Sequence, residues 1–289
     1  MSYVAALILR RSGIRAMVVI LTVAAATLAP AQQNTGEPRP IQDNSFLVEE
    51  AYNQENGVVQ HISAFTRLWQ GSGWSYSFTQ EFPVHSQKHQ LSYTLSMMRV
   101  GGVPAGAGVG DTAINYRYQL IGNGDTKFAF APRFTALAPT GNVREGRSLG
   151  AWGVQTNLPL SVALGKRFVT HWNAGATIVP NAKNAAGNRA LVTGYNLGQS
   201  IIWLAKPRFN VMLETLWTGA ESVVGENNAQ RAHSVYVSPG VRWAHNFSSG
   251  LQIVPGIAVP IGAGPSGGDK GVILYLSFEH PWNFFKGAR

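Results

Sequence analysis

The chain has 289 residues, 45% of them hydrophobic, and a formal net charge of +9. Only 13% of residues are charged and none is cysteine. Soluble domains carry about 25% charge, and a chain without thiols has no disulfide framework and no thiolate metal site. The basic residues are spread out, with no basic run interleaved with aromatics, so nucleic acid is not an expected partner.

The first 31 residues read as an export signal. Arg10, Arg11 and Arg15 make a basic start, residues 17–28 an apolar core, and Ala29-Pro30-Ala31 a small-x-small cleavage site before Gln32. Removing it takes the formal charge from +9 to +6. Elsewhere no stretch supplies ~20 apolar residues for a spanning helix. Residues 32–40 read as a leader rich in Gln, Asn and Pro. Residues 44–54 contain helix-compatible residues, with Phe46, Leu47 and Ala51 as the apolar positions. They predict one short helix ending at Asn56-Gly57, which caps the mouth of the following domain or plugs it.

From Val58 onward the apolar period is two. In residues 110–138, Thr112, Ile114, Tyr116, Tyr118 and Leu120 alternate with Ala113, Asn115, Arg117 and Gln119. Gly122-Asn123-Gly124-Asp125 follows as a turn. Then Phe128, Phe130 and Phe134 alternate with Lys127, Ala129, Ala131 and Arg133, and Pro132 weakens that strand. One face is aromatic and aliphatic; the other is polar and carries arginine. The same alternation recurs to Phe278 and predicts about twelve strands of ~9–13 residues. That length suits a tilted membrane strand better than the ~5–6 residues usual in soluble sheets.

The connections alternate as well. Short ones fall at 122–125, 164–166, 205–208 and 245–249. Long ones fall at 99–109, 139–149, 180–190, 219–232 and 261–270. Short periplasmic turns and longer outer loops are the pattern of an outer-membrane barrel, and the order leaves both termini in the periplasm. Trp74, Trp152 and Trp217 fall near the outer rim, and Trp203, Trp243 and Trp282 near the periplasmic rim, as interfacial girdles require; Trp172 sits mid-strand and fits neither. The predicted fold is an all-β, transmembrane, antiparallel up-and-down barrel of about 12 strands, preceded by a short helical segment. Its predicted divisions are a signal peptide at 1–31, a periplasmic N-terminal segment at 32–57, the barrel at 58–282 and a tail at 283–289. Tyr116, Phe130, Leu197, Leu213 and Val237 are expected to face lipid, where arginine is costlier than on the lumen face, as at Glu214.

Four stretches carry a family resemblance: NSFLVEEAYNQE at 44–55, GDTAINYRY at 110–118, QIVPGIAVP at 252–260 and LYLSFEHP at 274–281. The chain resembles the outer-membrane barrel family named for a meta-cleavage pathway of phenol degradation, whose members are often labelled transporters. The resemblance implies uptake of aromatic compounds; its motifs are strand patterns and carry no catalytic signature. Barrels usually end on an aromatic, so Trp282 or Phe285 is the expected assembly signal.

The polar face offers Arg117, Arg133, His171, Glu214 and Arg242 as lumen-lining candidates, with Glu279 beside them. They line either a selectivity surface or a solvated, salt-bridged interior that holds the barrel's shape. The expected function is an outer-membrane transporter or narrow channel for passive passage of small molecules. Its expected partners are outer-membrane lipid, a small solute, and the periplasmic targeting and barrel-assembly machinery. Two alternatives are a purely structural barrel and a lipid hydrolase using His61 and Ser63, which lie two apart on one strand face but lack a placed third group. The lumen is the expected position of that face. No catalytic set, cofactor or metal is expected: the glycines at 101–110 lack the helix and lysine of a phosphate loop, and the seven histidines are scattered.

Overall fold

A computed structural model describes residues 45–102 and 106–281. Within them the chain forms twelve strands. They are β1 (Val58–Leu68), β2 (Trp74–Val84), β3 (Ser86–Arg99), β4 (Gly108–Val109 and Thr112–Tyr118), β5 (Phe128–Phe130 and Arg133–Ala138) and β6 (Gly153–Asn157 and Leu160–Leu164). Then come β7 (Phe168–Lys183), β8 (Arg189–Lys206), β9 (Phe209–Gly225), β10 (Asn228–Trp243, continued at His245–Asn246), β11 (Gln252–Ala258 and Ile261–Gly262) and β12 (Gly271–Pro281). Each pairs antiparallel with the next, and β12 closes on β1 with Val58 opposite Pro281 and Leu68 opposite Gly271. Closure removes every free edge, as a wall in contact with lipid requires.

Proline explains three of the interrupted strands. It has no N–H to give the ladder, so β5 splits at Pro132, β6 at Pro159 and β11 at Pro260. The proline carbonyls still accept, from Tyr118, Ala131 and Gly271 respectively. The stretch after Gly122 is less tight than its sequence suggests. β4 stops at Tyr118 and β5 begins at Phe128, and the Asn123 and Thr126 side chains bond the intervening backbone.

Two expected loops are strand instead. At 180–190 and 219–232 the ladders continue to Lys183 opposite Arg189 and Gly225 opposite Asn228. Pro180 is absorbed in a bulge between Val179 and Ala182. The cause is an inward apolar cluster of Val179, Ala182, Ala190, Val192 and Val223, against which Leu149 and Ala151 of the β5–β6 loop pack. β7 to β10 are therefore 16–18 residues long in their continuous parts and rise above the other strands at the long-loop end.

The faces are inside out for a soluble protein. Outward side chains include Leu95, Ile114, Phe134, Leu197, Leu213 and Leu274, all exposed. Inward ones include Gln90, Asn115, Thr135, Ser200 and Ser277, all buried. Trp203 and Trp243 are exposed at the short-turn end and Trp152 at the other. An apolar belt around a polar interior is what a bilayer selects. The predicted signal peptide, Trp282 and the predicted tail lie outside the described residues.

Leu213 is the fifth residue of β9 and sits in mid-belt. Leu213→Arg is expected to cost roughly 2–4 kcal/mol. Thr66→Arg, on the inward face of β1 near the outer rim, is expected to cost less than half as much. Urea unfolding in lipid vesicles measures both; equal losses would contradict the face assignment.

Candidate functional site: the barrel interior

No helix forms in the described part of the N-terminal segment. Residues 45–57 run as bends and irregular chain ending in a turn at 56–57, and most of 45–54 are buried. A helix satisfies its own backbone; this segment instead has its backbone satisfied by the wall. The Glu214 carboxylate on β9 accepts from the N–H groups of Phe46 (3.1 Å), Leu47 (2.9 Å) and Val48 (3.0 Å). Glu49 N–H donates to Asn173 Oδ1 on β7 (2.8 Å), and Ala51 N–H to Ser161 Oγ on β6 (2.8 Å). Asn53 N–H donates to Gln119 Oε1, just beyond β4 (2.9 Å), and Gln54 N–H to Gln90 Oε1 on β3 (2.7 Å). The segment thus crosses the lumen from β9 to β3. With the short turns periplasmic, its anchors lie in the periplasmic half of the barrel.

Shape reinforces the bonds. The Phe46 ring meets Tyr275 edge-on at 5.6 Å. It fills the space above Gly240 and Gly256, where an added Cβ would lie 2.5 and 2.7 Å from ring atoms. Val48 fits likewise against Gly198 (2.9 Å). Inward glycines on β8, β10 and β11 are the sequence signal for a second chain approaching closely.

The lumen-lining candidates all face inward, and most are tied to this segment. Arg117 is 3% exposed. Its Nε donates to Asn53 Oδ1 (2.9 Å), Nη1 to Glu50 O and Oε1 (both 3.3 Å), and Nη2 to Tyr52 O (2.5 Å); Glu81 lies 3.7 Å away. Arg133 grips Glu49 with two parallel bonds, Nε to Oε2 (2.9 Å) and Nη2 to Oε1 (2.7 Å). His171 is buried, bonds Ser161 Oγ through Nδ1 (2.7 Å) and meets Tyr52 edge-on. Glu279 accepts from Gln60, which in turn accepts from Gln54. Arg242 is buried beside Gly256 and the Phe46 ring. In place of a solvated lining there is a packed polar network, because the segment's own carbonyls and carboxylates partner the wall. Glu214 is fully buried and is not the tolerant lumen position expected from alternation alone. The amides Gln60, Gln90, Gln119 and Asn173 were not singled out in the sequence. Their signal was an excess of inward Gln and Asn, side chains suited to bonding a backbone.

His61 and Ser63 face outward, not into the lumen, because Gln60 and Ile62 hold the inward register opposite Glu279 and Ser277. Ser63 Oγ bonds Tyr76 OH (3.1 Å), and His61 Nε2 lies 3.2 Å from His280 Nε2. The His61 ring stacks on Phe278 at 4.7 Å. Neither partner is arranged to take a proton from Ser63 as a base must. Among the described residues no group of three or more His, Cys, Asp or Glu is placed to hold a metal ion.

At the outer mouth the β5–β6 loop folds inward. Asp111 accepts from the N–H groups of Gly141 (3.1 Å) and Leu149 (3.2 Å), and Leu149 O accepts from Lys183 (2.7 Å).

A closed twelve-stranded wall with an apolar exterior and a polar interior defines a β-barrel of the bacterial outer membrane. The fold is shared with an outer-membrane channel from Pseudomonas putida F1, at TM-score 0.59 and 13% identity over 80% of this chain and 97% of that one. It is shared also with the NanC porin, at TM-score 0.50 and 6% identity over 77% and 98%. No curated protein matches the chain. The family described as MetA-pathway of phenol degradation matches residues 35–263, and the chain belongs to that family.

Proposed function

We propose that the protein is a passive outer-membrane channel for small molecules, aromatic ones among them, closed at rest by residues 45–54. One observation carries this reading. Among the described residues, no backbone-to-backbone hydrogen bond joins 45–54 to the wall; the segment is held through side chains. It can therefore leave without breaking a rung of the barrel. A purely structural core has no need of a separable filling. The aromatic preference comes from the family's name, an associational warrant. Transport is favoured over lipid hydrolysis because Ser63 bonds a tyrosine and not a base. Outer-membrane lipid and the barrel-assembly machinery are the partners this placement implies.

Single-channel recording in planar bilayers tests the reading. The mature chain is expected to show small or rare openings. A chain lacking residues 45–54 is expected to conduct about tenfold more, since a twelve-stranded barrel emptied of its filling leaves a narrow aqueous path. Silence from both forms would leave a structural barrel. Equal conductance would show that the segment is not the closure.

A further inference from the structure

Arg117 and Arg133 look alike in sequence but are held differently. Arg117 is bonded chiefly by the segment. Arg133 is held by the wall. Its Nη1 donates to Asn115 Oδ1 (2.7 Å) and Thr135 Oγ1 (2.5 Å), and Nη2 also reaches Gln155 Oε1 (3.2 Å). Thr135 in turn donates to Asn115, and Gln155 to Thr177. These partners sit on β4, β5, β6 and β7, so the guanidinium keeps its orientation whether or not the segment is present. Its remaining edge, Nε and Nη2, points to Glu49 in the paired geometry that guanidinium offers a carboxylate.

This ion pair is also the accessible one. The side chains of Glu49 and Arg133 are 33% and 14% exposed, against 1% and 4% for Glu50 and Arg117. Asn115, Thr135 and Gln155 lie one inward position beyond Arg133 in the strand register, so they brace the guanidinium from the outer side and leave its Nε–Nη2 edge to Glu49.

We infer that the Nε–Nη2 edge of Arg133 is a binding site for the carboxylate of a small organic acid, occupied at rest by the chain's own Glu49. An acid entering the lumen competes with Glu49 for the edge and loosens the segment at its middle. The inference deepens the channel reading, on which it relies only for how the acid arrives.

Isothermal titration of the detergent-solubilised mature chain with sodium benzoate tests it, with benzamide as the uncharged isostere. The wild type is expected to bind benzoate weakly, because the site is free only while Glu49 is away. Glu49→Gln removes the competing charge and is expected to tighten benzoate binding by about tenfold or more, the gain from raising the competent fraction. Benzamide binding should not change. Adding Arg133→Gln to Glu49→Gln should abolish the gain. Arg133→Lys, which keeps the charge but not the fork, should lose most of it. Heat-modifiable migration on gels establishes that each variant is folded. Unchanged benzoate affinity in folded Glu49→Gln overturns the site, as does equal tightening for benzamide. Binding in detergent needs no permeation. Binding without conductance would therefore sink the channel reading and keep the site, and conductance without binding would do the reverse.

Discussion

Glu214→Ala is expected to release the N-terminal segment and raise single-channel conductance toward that of the chain lacking residues 45–54. The carboxylate is the common acceptor for three successive N–H groups, those of Phe46, Leu47 and Val48. Alanine leaves all three without it in a buried site. Leaving a buried donor unpaired costs about 1–3 kcal/mol. Even the low end, taken three times, shifts segment occupancy by more than about a hundredfold. The barrel itself is expected to survive, because removing a buried carboxylate also removes its desolvation cost and every strand pairing of β9 is untouched. Heat-modifiable migration should thus be retained while conductance rises. Glu214→Gln keeps one acceptor oxygen and is expected to fall between. A closed Glu214→Ala channel would mean that the segment is held mainly by Phe46 in its glycine-lined seat and by the arginines.

Arg117→Ala is expected to give the largest loss of stability of any single lumen change. It deletes bonds to Asn53, Glu50 and Tyr52 and leaves Glu50 and Glu81 without that cation. Removing one partner of a buried ion pair costs roughly 3–5 kcal/mol, because the other charge stays desolvated. Thermal unfolding of the detergent-solubilised protein should show the loss. Adding Glu50→Gln should recover part of it, since the stranded carboxylate is then neutral; the coupling between the two changes measures the pair. If Arg117→Ala melts like the wild type, the network does not support the barrel. Arg133→Gln should cost less, because its ion pair with Glu49 is partly solvated.

The alternation of Ile114, Tyr116 and Tyr118 with Asn115 and Arg117 was enough to assign faces, since a period of two leaves each side chain one choice of side. Repeated to Phe278, it also yielded the strand number and the position in the outer membrane. The candidates Arg117, Arg133, His171, Glu214 and Arg242 followed from the same rule. Local pattern failed where a different partner decided the outcome. Residues 180–190 and 219–232 look like loops, yet Val179, Val192 and Val223 bury one another inside the rim and extend the strands. Residues 44–54 look helical. Helix propensity is worth only tenths of a kcal/mol per residue, and in 45–54 it yields to acceptors on β3, β6, β7 and β9 and to the burial of Phe46 and Tyr52 against the wall. That those acceptors converge on one short stretch depends on closure of β12 against β1. Closure brings residues 110 to 168 positions apart into contact. So the sequence by itself determined which residues face lipid and which face inward along most of the wall, but not on β1, where His61 and Ser63 were expected in the lumen and face outward. Only the tertiary structure decided what those inward residues hold, because their partner is another part of the same chain whose approach no local period records.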